Sequence, residues 1–275
     1  MISIVILTYN EAINIERCLR SVAWSDDILV VDSGSTDDTC KLAEQMGARL
    51  LHRPFDNFAN QRNYALDHGH LKYKWVLHID ADEVVSPDLQ QELLAIAKNE
   101  QELVGYRVPS RLMLLGQWLK HSGMYPTYQV RFGKRDGLRF NMVGHGQREM
   151  LALDQVGTLK GDLIHNNFSH GISEWFTKHA RYAKDEAATA VQNRGTHHWR
   201  DILHASDTVE RRRVLKGLSH SLPLRPLARF IYIYFLRMGF LDGRGGLRYA
   251  LLIAVYQWAI DMNILELLQK NQDTK

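Results

Sequence analysis

The sequence predicts an α/β fold, a mostly parallel sheet flanked by helices with a helical C-terminal extension. Three observations carry this expectation. Short apolar runs alternate with helical patterns over the first hundred residues, polar clusters close several of those runs, and the last seventy residues change in composition. At 275 residues, against roughly 150 for a typical domain, the chain has room for one large core and an appendage. Hydrophobic residues make up 45% and charged residues 24%, which supplies a real core and excludes wholesale disorder.

Residues 2–7 form a continuous, largely β-branched run, as a strand covered on both faces requires. They read as a first strand and not as a secretion leader, because they lack a basic lead-in and a small-residue cleavage site. Ala12, Ile15, Leu19 and Val22 then recur at helical spacing. A second apolar run, residues 28–31, ends at Asp32-Ser33-Gly34-Ser35, and residues 35–38 are expected to cap a helix that stops near Gly47. Residues 48–52 read as a third strand, 58–68 as a third helix and 75–79 as a fourth strand. Ser86-Pro87-Asp88 opens the next helix, with the serine as cap and the proline in the first turn. Repeated strand–helix–strand units with right-handed crossovers give parallel strands, and ligands bind outside their carboxyl ends. Residues 8–11, 32–35 and 80–83 should therefore share one crevice.

Between residues 105 and 165 the pattern is irregular, with strand-like stretches at 106–108, 128–132 and 159–164. Residues 173–191 return to helical period through Phe176, Ala180, Ala183, Ala187 and Ala190. Residues 194–207 read as a polar connection holding His197, His198 and His204; adjacent histidines do not share a helix face, which argues against a metal pair.

Charge is uneven along the chain. The whole carries +3, too little to imply a nucleic-acid partner, but residues 205–250 alone carry +6 and everything else −3. Apolar and aromatic residues fill 230–236 and 249–260. The latter uncharged run is twelve residues, short of the roughly 20 that cross a bilayer, so spanning is not expected. Basic, aromatic-rich helices fit an anionic membrane surface; the alternative is a helical hairpin packed on the main domain with a solvated basic face. Cys18 and Cys40 are the only cysteines, which excludes a disulfide framework and a four-cysteine zinc site and suits a reducing compartment. Both are expected to be buried or half-buried thiols, with a catalytic thiol as the lesser alternative.

The chemistry concentrates at the strand ends. Asp80 and Asp82, alternate residues after an apolar strand, suit one hard cation, Mg²⁺ or Mn²⁺, whose remaining positions substrate phosphates can fill; a solvated acidic turn is the alternative. Asp32 can accept hydrogen bonds from a base or ribose, or serve only as a helix cap. Tyr9 offers a ring face for stacking and Glu11 a carboxylate. Arg131 suits either a phosphate contact or a buried ion pair, and His165 either a satisfied core position or an approach to the metal.

Taken together, Val5-Ile6-Leu7-Thr8-Tyr9-Asn10-Glu11, Val30 through Thr39 with its Asp32-Ser33-Gly34-Ser35, and Leu77-His78-Ile79-Asp80-Ala81-Asp82-Glu83 resemble the family 2 inverting, metal-dependent nucleotide-sugar glycosyltransferases of GT-A fold. Residues 121–126, 128–132 and 239–244 are similar to the bacterial branch that builds the lipopolysaccharide core, typified by β-1,4-glucosyltransferases. The resemblance implies that Thr8, Tyr9 and Glu11 line the base and ribose, that Asp32 meets the uracil edge, and that Arg62 lies beside the nucleotide. It also implies that Asp80 and Ala81 adjoin the donor and that Asp82, with Asp80, holds Mg²⁺ or Mn²⁺. An inverting reaction needs a base for the acceptor hydroxyl, for which Glu149 is the first candidate and His145 the second. The implied organisation is a glycosyltransferase domain over residues 1–193, with a nucleotide half (1–100) and an acceptor half (101–193), followed by a basic amphipathic region over 194–275. The implied partners are a nucleotide-sugar donor, probed first as UDP-glucose, a lipid-linked or glycan acceptor, and the inner face of the cytoplasmic membrane. A nucleotidyltransferase of similar fold and a non-catalytic carbohydrate or membrane adaptor are the alternatives. No glycine-rich phosphate loop follows the first strand, and Gly243-Arg244-Gly245-Gly246 lacks the spacing of a dinucleotide fingerprint.

Overall fold

The structure, a computed structural model, describes residues 1–99, 102–143, 146–192, 201 and 224–273. It divides into two compact units, Met1–Trp118 with Tyr125–Ser169, and Leu119–Met124 with His170–Lys275. The boundary expected at residue 193 falls outside the described residues, as do His197, His198 and His204.

The first unit opens with β1 (Ile2–Thr8), α1 (Ile15–Val22), β2 (Ile28–Asp32), α2 (Thr39–Gln45), β3 (Arg49–His52), α3 (Phe58–His68), β4 (Trp75–Asp80), β5 (Glu83–Val85) and α4 (Pro87–Lys98). It continues with β6 (Gly105–Leu114), β7 (Gln117–Trp118), β8 (Thr127–Lys134), the hairpin β9 (Phe140–Val143) and β10 (Gly146–Glu149), then β11 (Val156–Thr158) and β12 (Leu163–His165). The main sheet runs β3-β2-β1-β4-β8-β6-β12-β5. Its first four strands are parallel, as the alternating pattern predicts, and β8 and β5 enter antiparallel.

Strand β1 is buried along its whole length because both faces are covered. Ile2, Ile4 and Ile6 pack with Ile15, Leu19 and Val22 of α1 and with Leu89 and Leu93 of α4. Val5 and Leu7, on the opposite face, pack with Ala59, Ala65 and Leu66 of α3. The two-residue period thus assigns each helix its side of the sheet. Helix α4 starts as expected: the Ser86 side chain accepts from the Leu89 N–H at 3.2 Å, with Pro87 in the first turn. Helix α2 does not. Asp38 makes no side-chain cap; the Thr39 N–H goes to Asp37 Oδ1 at 3.1 Å, and Ser35 and Thr36 are used elsewhere.

In the second unit α5 (Gly171–Gln192) confirms the helical period, and α6 (Arg225–Ile231), a π-helical turn (Tyr232–Leu236) and a 3-10 turn (Gly239–Asp242) lead into α7 (Gly243–Asp273). Ala183 and Ala187 let α5 approach Ile260 of α7 closely, with Tyr256, Ala259, Ile264 and Leu267 around them. Asp242 accepts from the backbone N–H of Ser122 and from its hydroxyl, both at 2.7 Å, which ties residues 119–124 to this unit. By length and composition alone, Gly239–Lys270 is long and apolar enough to cross a membrane, with an 18-residue window of mean hydropathy 1.4. The helix runs beyond the uncharged residues 249–260 because isolated charges such as Asp261 and Glu266 interrupt the run without ending the helix.

Candidate functional site

Three strand ends of the first unit meet as the topology requires. The Ser33 N–H donates to the Thr8 carbonyl and the Ala81 N–H to the Leu7 carbonyl, both at 3.0 Å. The loop after β1 is then fastened to the loop after β2. The Asn10 N–H donates to Ser35 Oγ and the Thr36 N–H to Asn10 Oδ1, each at 2.8 Å. The Glu11 N–H donates to Thr39 Oγ1 at 2.8 Å and the Ala12 N–H to Asp37 Oδ2 at 3.1 Å. This is where Ser35 and Thr36, expected at a helix cap, are spent. Asn10 takes a positive φ of 53°, which asparagine tolerates better than most residues.

At this edge Tyr9 is 58% exposed, so its ring is available for stacking. Thr8 is buried, and its hydroxyl has no partner among the described residues. Glu11 accepts from Asn14 Nδ2 at 2.6 Å. Asp32 is buried and turns back on its own loop, accepting from the N–H groups of Gly34 and Ser35 at 2.9 and 3.0 Å and from the Ser35 hydroxyl. Burial opposes the charge on Asp32, but these donors, with His52, hold its carboxyl below the usual range.

The acidic stretch after β4 is organised by charges that come from distant segments. Arg62, buried on α3, donates to Asp80 Oδ1 at 2.6 Å, and Arg131, buried on β8, donates to Asp80 Oδ2 at 2.7 Å. Arg131 also reaches Glu83 Oε1 at 3.1 Å, while the other Glu83 oxygen accepts from the Asp80 N–H at 2.9 Å. Arg131 is thus a buried ion-pair residue, one of the two readings its position allowed. Glu83 is fully enclosed; burial and the neighbouring Asp80 push its carboxyl up to about 8. Ala81 packs into the core and its N–H is already taken, so it can offer a ligand only its carbonyl.

Strand β12 pairs antiparallel with β5 so that His165 lies opposite Glu83. This register sets His165 Nε2 3.1 Å from Asp82 Oδ2, with both side chains partly exposed. Burial disfavours the imidazolium, but Asp82, and after it Glu83 and Asp80, hold the His165 pKa up at about 9. Once the imidazole gives up its proton, it and the Asp82 carboxylate form an O,N donor set suited to a divalent ion of the Mn²⁺ class, and Asp80 lies beside them with its oxygens already engaged by arginines. His165 is therefore hydrogen-bonded to Asp82 at the sheet edge, an arrangement that suits either of the two readings its sequence position allowed, and nothing in its local sequence shows that partner. Cys18 is a buried thiol raised by burial and by Glu83, which leaves it inert as a nucleophile.

Glu149 ends β10, half-buried and opposite Phe140 on β9. Asn63, next to Arg62 on α3, fastens this hairpin by donating to the Phe140 carbonyl at 2.9 Å and accepting from its N–H at 3.0 Å. His145 lies outside the described residues.

Residues 3–152 match the glycosyl transferase family 2 model. The chain belongs to glycosyl transferase family 2. That excludes the nucleotidyltransferase alternative. An uncharacterized glycosyltransferase of Rickettsia bellii (strain RML369-C) is 38% identical over 115 residues, 41% of this chain and 38% of the relative. The lipopolysaccharide core biosynthesis glycosyltransferase LpsC of Rhizobium meliloti (strain 1021) is 27% identical over 170 residues, 60% of this chain and 62% of the relative. The chain thus spans about two fifths of the length of the Rickettsia relative. Glucosyl-3-phosphoglycerate synthase of Mycobacterium tuberculosis, solved with Mn²⁺, UDP and glucosyl-3-phosphoglycerate, is 21% identical with a TM-score of 0.44, over 61% of this chain and 72% of that one. A likeness this loose transfers no residue roles; the GT-A-like reading rests on the chain's own strand order and family.

Proposed function

We propose that the protein transfers a hexose, with inversion, from a nucleotide-sugar to a hydroxyl of a lipopolysaccharide-core or other cell-envelope glycan, UDP-glucose being the first donor to test. One observation carries this reading: within a family 2 chain, Asp82 and His165 stand together at the carboxyl edge of the parallel strands, beside Asp80. Thr8, Tyr9 and Glu11 then line the base and ribose, Asp32 meets the uracil edge, and Arg62 lies beside the nucleotide. Asp82 and His165, with Asp80 alongside, would hold the divalent ion, which when bound supplies positive charge to a leaving diphosphate. Arg62 and Arg131 fix the Asp80 carboxylate from both sides, so the site keeps its shape as charge moves through it. Glu149 takes the proton from the acceptor hydroxyl.

The test is UDP release from UDP-glucose with and without Mn²⁺, on acceptor glycans of the envelope. Glu149→Gln should lose about 10²–10⁴ in turnover, the usual worth of a general base, while UDP binding persists. Asp82→Asn should lose the metal dependence. Normal turnover in both variants would overturn the assignment.

The second unit supports an envelope location. On α7, Leu247, Leu251, Val255, Trp258, Met262 and Leu265 recur at three- and four-residue spacing and are all exposed. The opposite side of the helix packs on α5. Arg244 and Arg248, both exposed, stand at the start of the apolar stripe. A helix with one face held by protein and one apolar face tipped with arginines suits an anionic lipid surface, lying in its plane.

A further inference from the structure

At the outer edge of the parallel strands, Asp32, Cys40 and His52 bring a carboxylate oxygen, a thiol sulfur and an imidazole nitrogen within 4.8 Å of one another, the one such trio among the described residues. The fold produces it directly. Asp32 and His52 are register partners at the ends of β2 and β3, and Cys40 stands in the first turn of α2, the helix joining those strands. His52 Nδ1 is already 3.3 Å from Asp32 Oδ2. Two ligands on one tetrahedral zinc, at about 2.1 Å each, stand roughly 3.5 Å apart, so this pair needs no rearrangement of the strands.

We propose that Asp32, Cys40 and His52 form a second metal site that takes a zinc-class cation, with the fourth position open to water. A thiolate and an imidazole select Zn²⁺ over Mg²⁺, which prefers all-oxygen surroundings. The three side chains differ in freedom in the way a capture site needs. Asp32 is buried and clamped by the Gly34 and Ser35 donors, Cys40 is half-buried, and His52 is 66% exposed and can swing in. The cation enters as the Cys40 thiol releases its proton to solvent. The ion takes the slot between His52 and Asp32 and leaves the backbone donors to Asp32 in place. If Asp32 also meets the nucleotide, as proposed above, zinc here opposes donor binding while the Asp82 and His165 pair is untouched.

Cobalt(II) titration of the full chain tests the site by itself, because a thiolate on cobalt gives a charge-transfer absorption that carboxylate and imidazole ligands do not. We expect that absorption to saturate at one ion per chain, to vanish in Cys40→Ser, to need at least tenfold more cobalt in His52→Ala, and to be unchanged in Asp82→Asn. Absence of the band, or its loss in Cys18→Ser with retention in Cys40→Ser, overturns the site. A second arm measures UDP affinity with and without zinc. A tenfold weakening in the wild type that Cys40→Ser abolishes supports the overlap; equal weakening in both refutes it. Should UDP not bind at all, the nucleotide reading fails while the cobalt result still decides the metal site.

Discussion

Replacing Arg131 by methionine probes the charges that hold Asp80. Arg131 is 5% exposed and its guanidinium pairs with Asp80 at 2.7 Å and Glu83 at 3.1 Å, while Arg62 keeps the other Asp80 oxygen at 2.6 Å. Methionine retains much of the volume and adapts its shape, so the loss is mainly electrostatic. Removing one partner of a buried ion pair costs about 3–5 kcal/mol, because the remaining charge is stranded. Two features put this case at the lower end. Arg62 still neutralises Asp80, and Glu83, pushed up to about 8 by burial and by Asp80, can stay protonated. A loss of about 3 kcal/mol is therefore expected. At about 2–4 °C per kcal/mol for a chain of this size, Tm falls by about 6–12 °C. Thermal unfolding of the full chain, followed by circular dichroism with a chelator present, measures it. Because the two side chains touch, the losses in Arg131→Met and Glu83→Gln should not add; the double variant should recover about 1 kcal/mol of their sum. A melting point within about 2 °C of the wild type, or strict additivity, would refute the account of why Arg131 is buried there.

Other consequences are as direct. Burial would raise the Asp27 carboxyl, but Ser3, the Lys72 N–H and Arg49 hold it below its ordinary 3.8; its contribution is present above that pH and is lost as pH falls through the folded value. Asp27→Asn should therefore flatten the acid loss of stability in urea titrations below pH 3.8, and an unchanged acid limb would contradict this. Gly161→Ala should cost about 1–3 kcal/mol, read as a lowered urea midpoint, because a Cβ there would run into the Leu89 backbone. Leu251→Glu with Trp258→Glu should weaken binding to anionic vesicles at least tenfold without lowering Tm; undiminished binding would remove α7 as the lipid-facing element.

The parallel strands were readable from the sequence because they are covered on both faces, so burial writes itself as unbroken apolar runs such as residues 2–7. Asp80 and Asp82 were readable for a related reason: polar residues just after such a run must lie at the sheet edge. His165 was readable only in part: an approach to the metal was one of its two readings, but its partner Asp82 is set by the register of β12 against β5, a pairing across 82 positions that no local pattern encodes. Arg131 was half readable; its charge and aromatic neighbours fit a phosphate contact as well as an ion pair, and only the placement of β8 beside β4 decides. The expected cap on α2 went astray because serine and threonine serve loop-to-loop bonds as readily as helix ends, and the partner loop after β1 claims them.

The fastening of those two loops has a kinetic meaning. Asn10, Glu11 and Ala12 are pinned to Ser35, Thr36, Asp37 and Thr39 by direct hydrogen bonds. An incoming molecule meets a rim that folding has already frozen, so little disorder remains to be surrendered on docking. If the proposed donor docks at this rim, discrimination among related donors rests on how well each fits fixed walls, and appears as differences in residence time more than in speed of arrival.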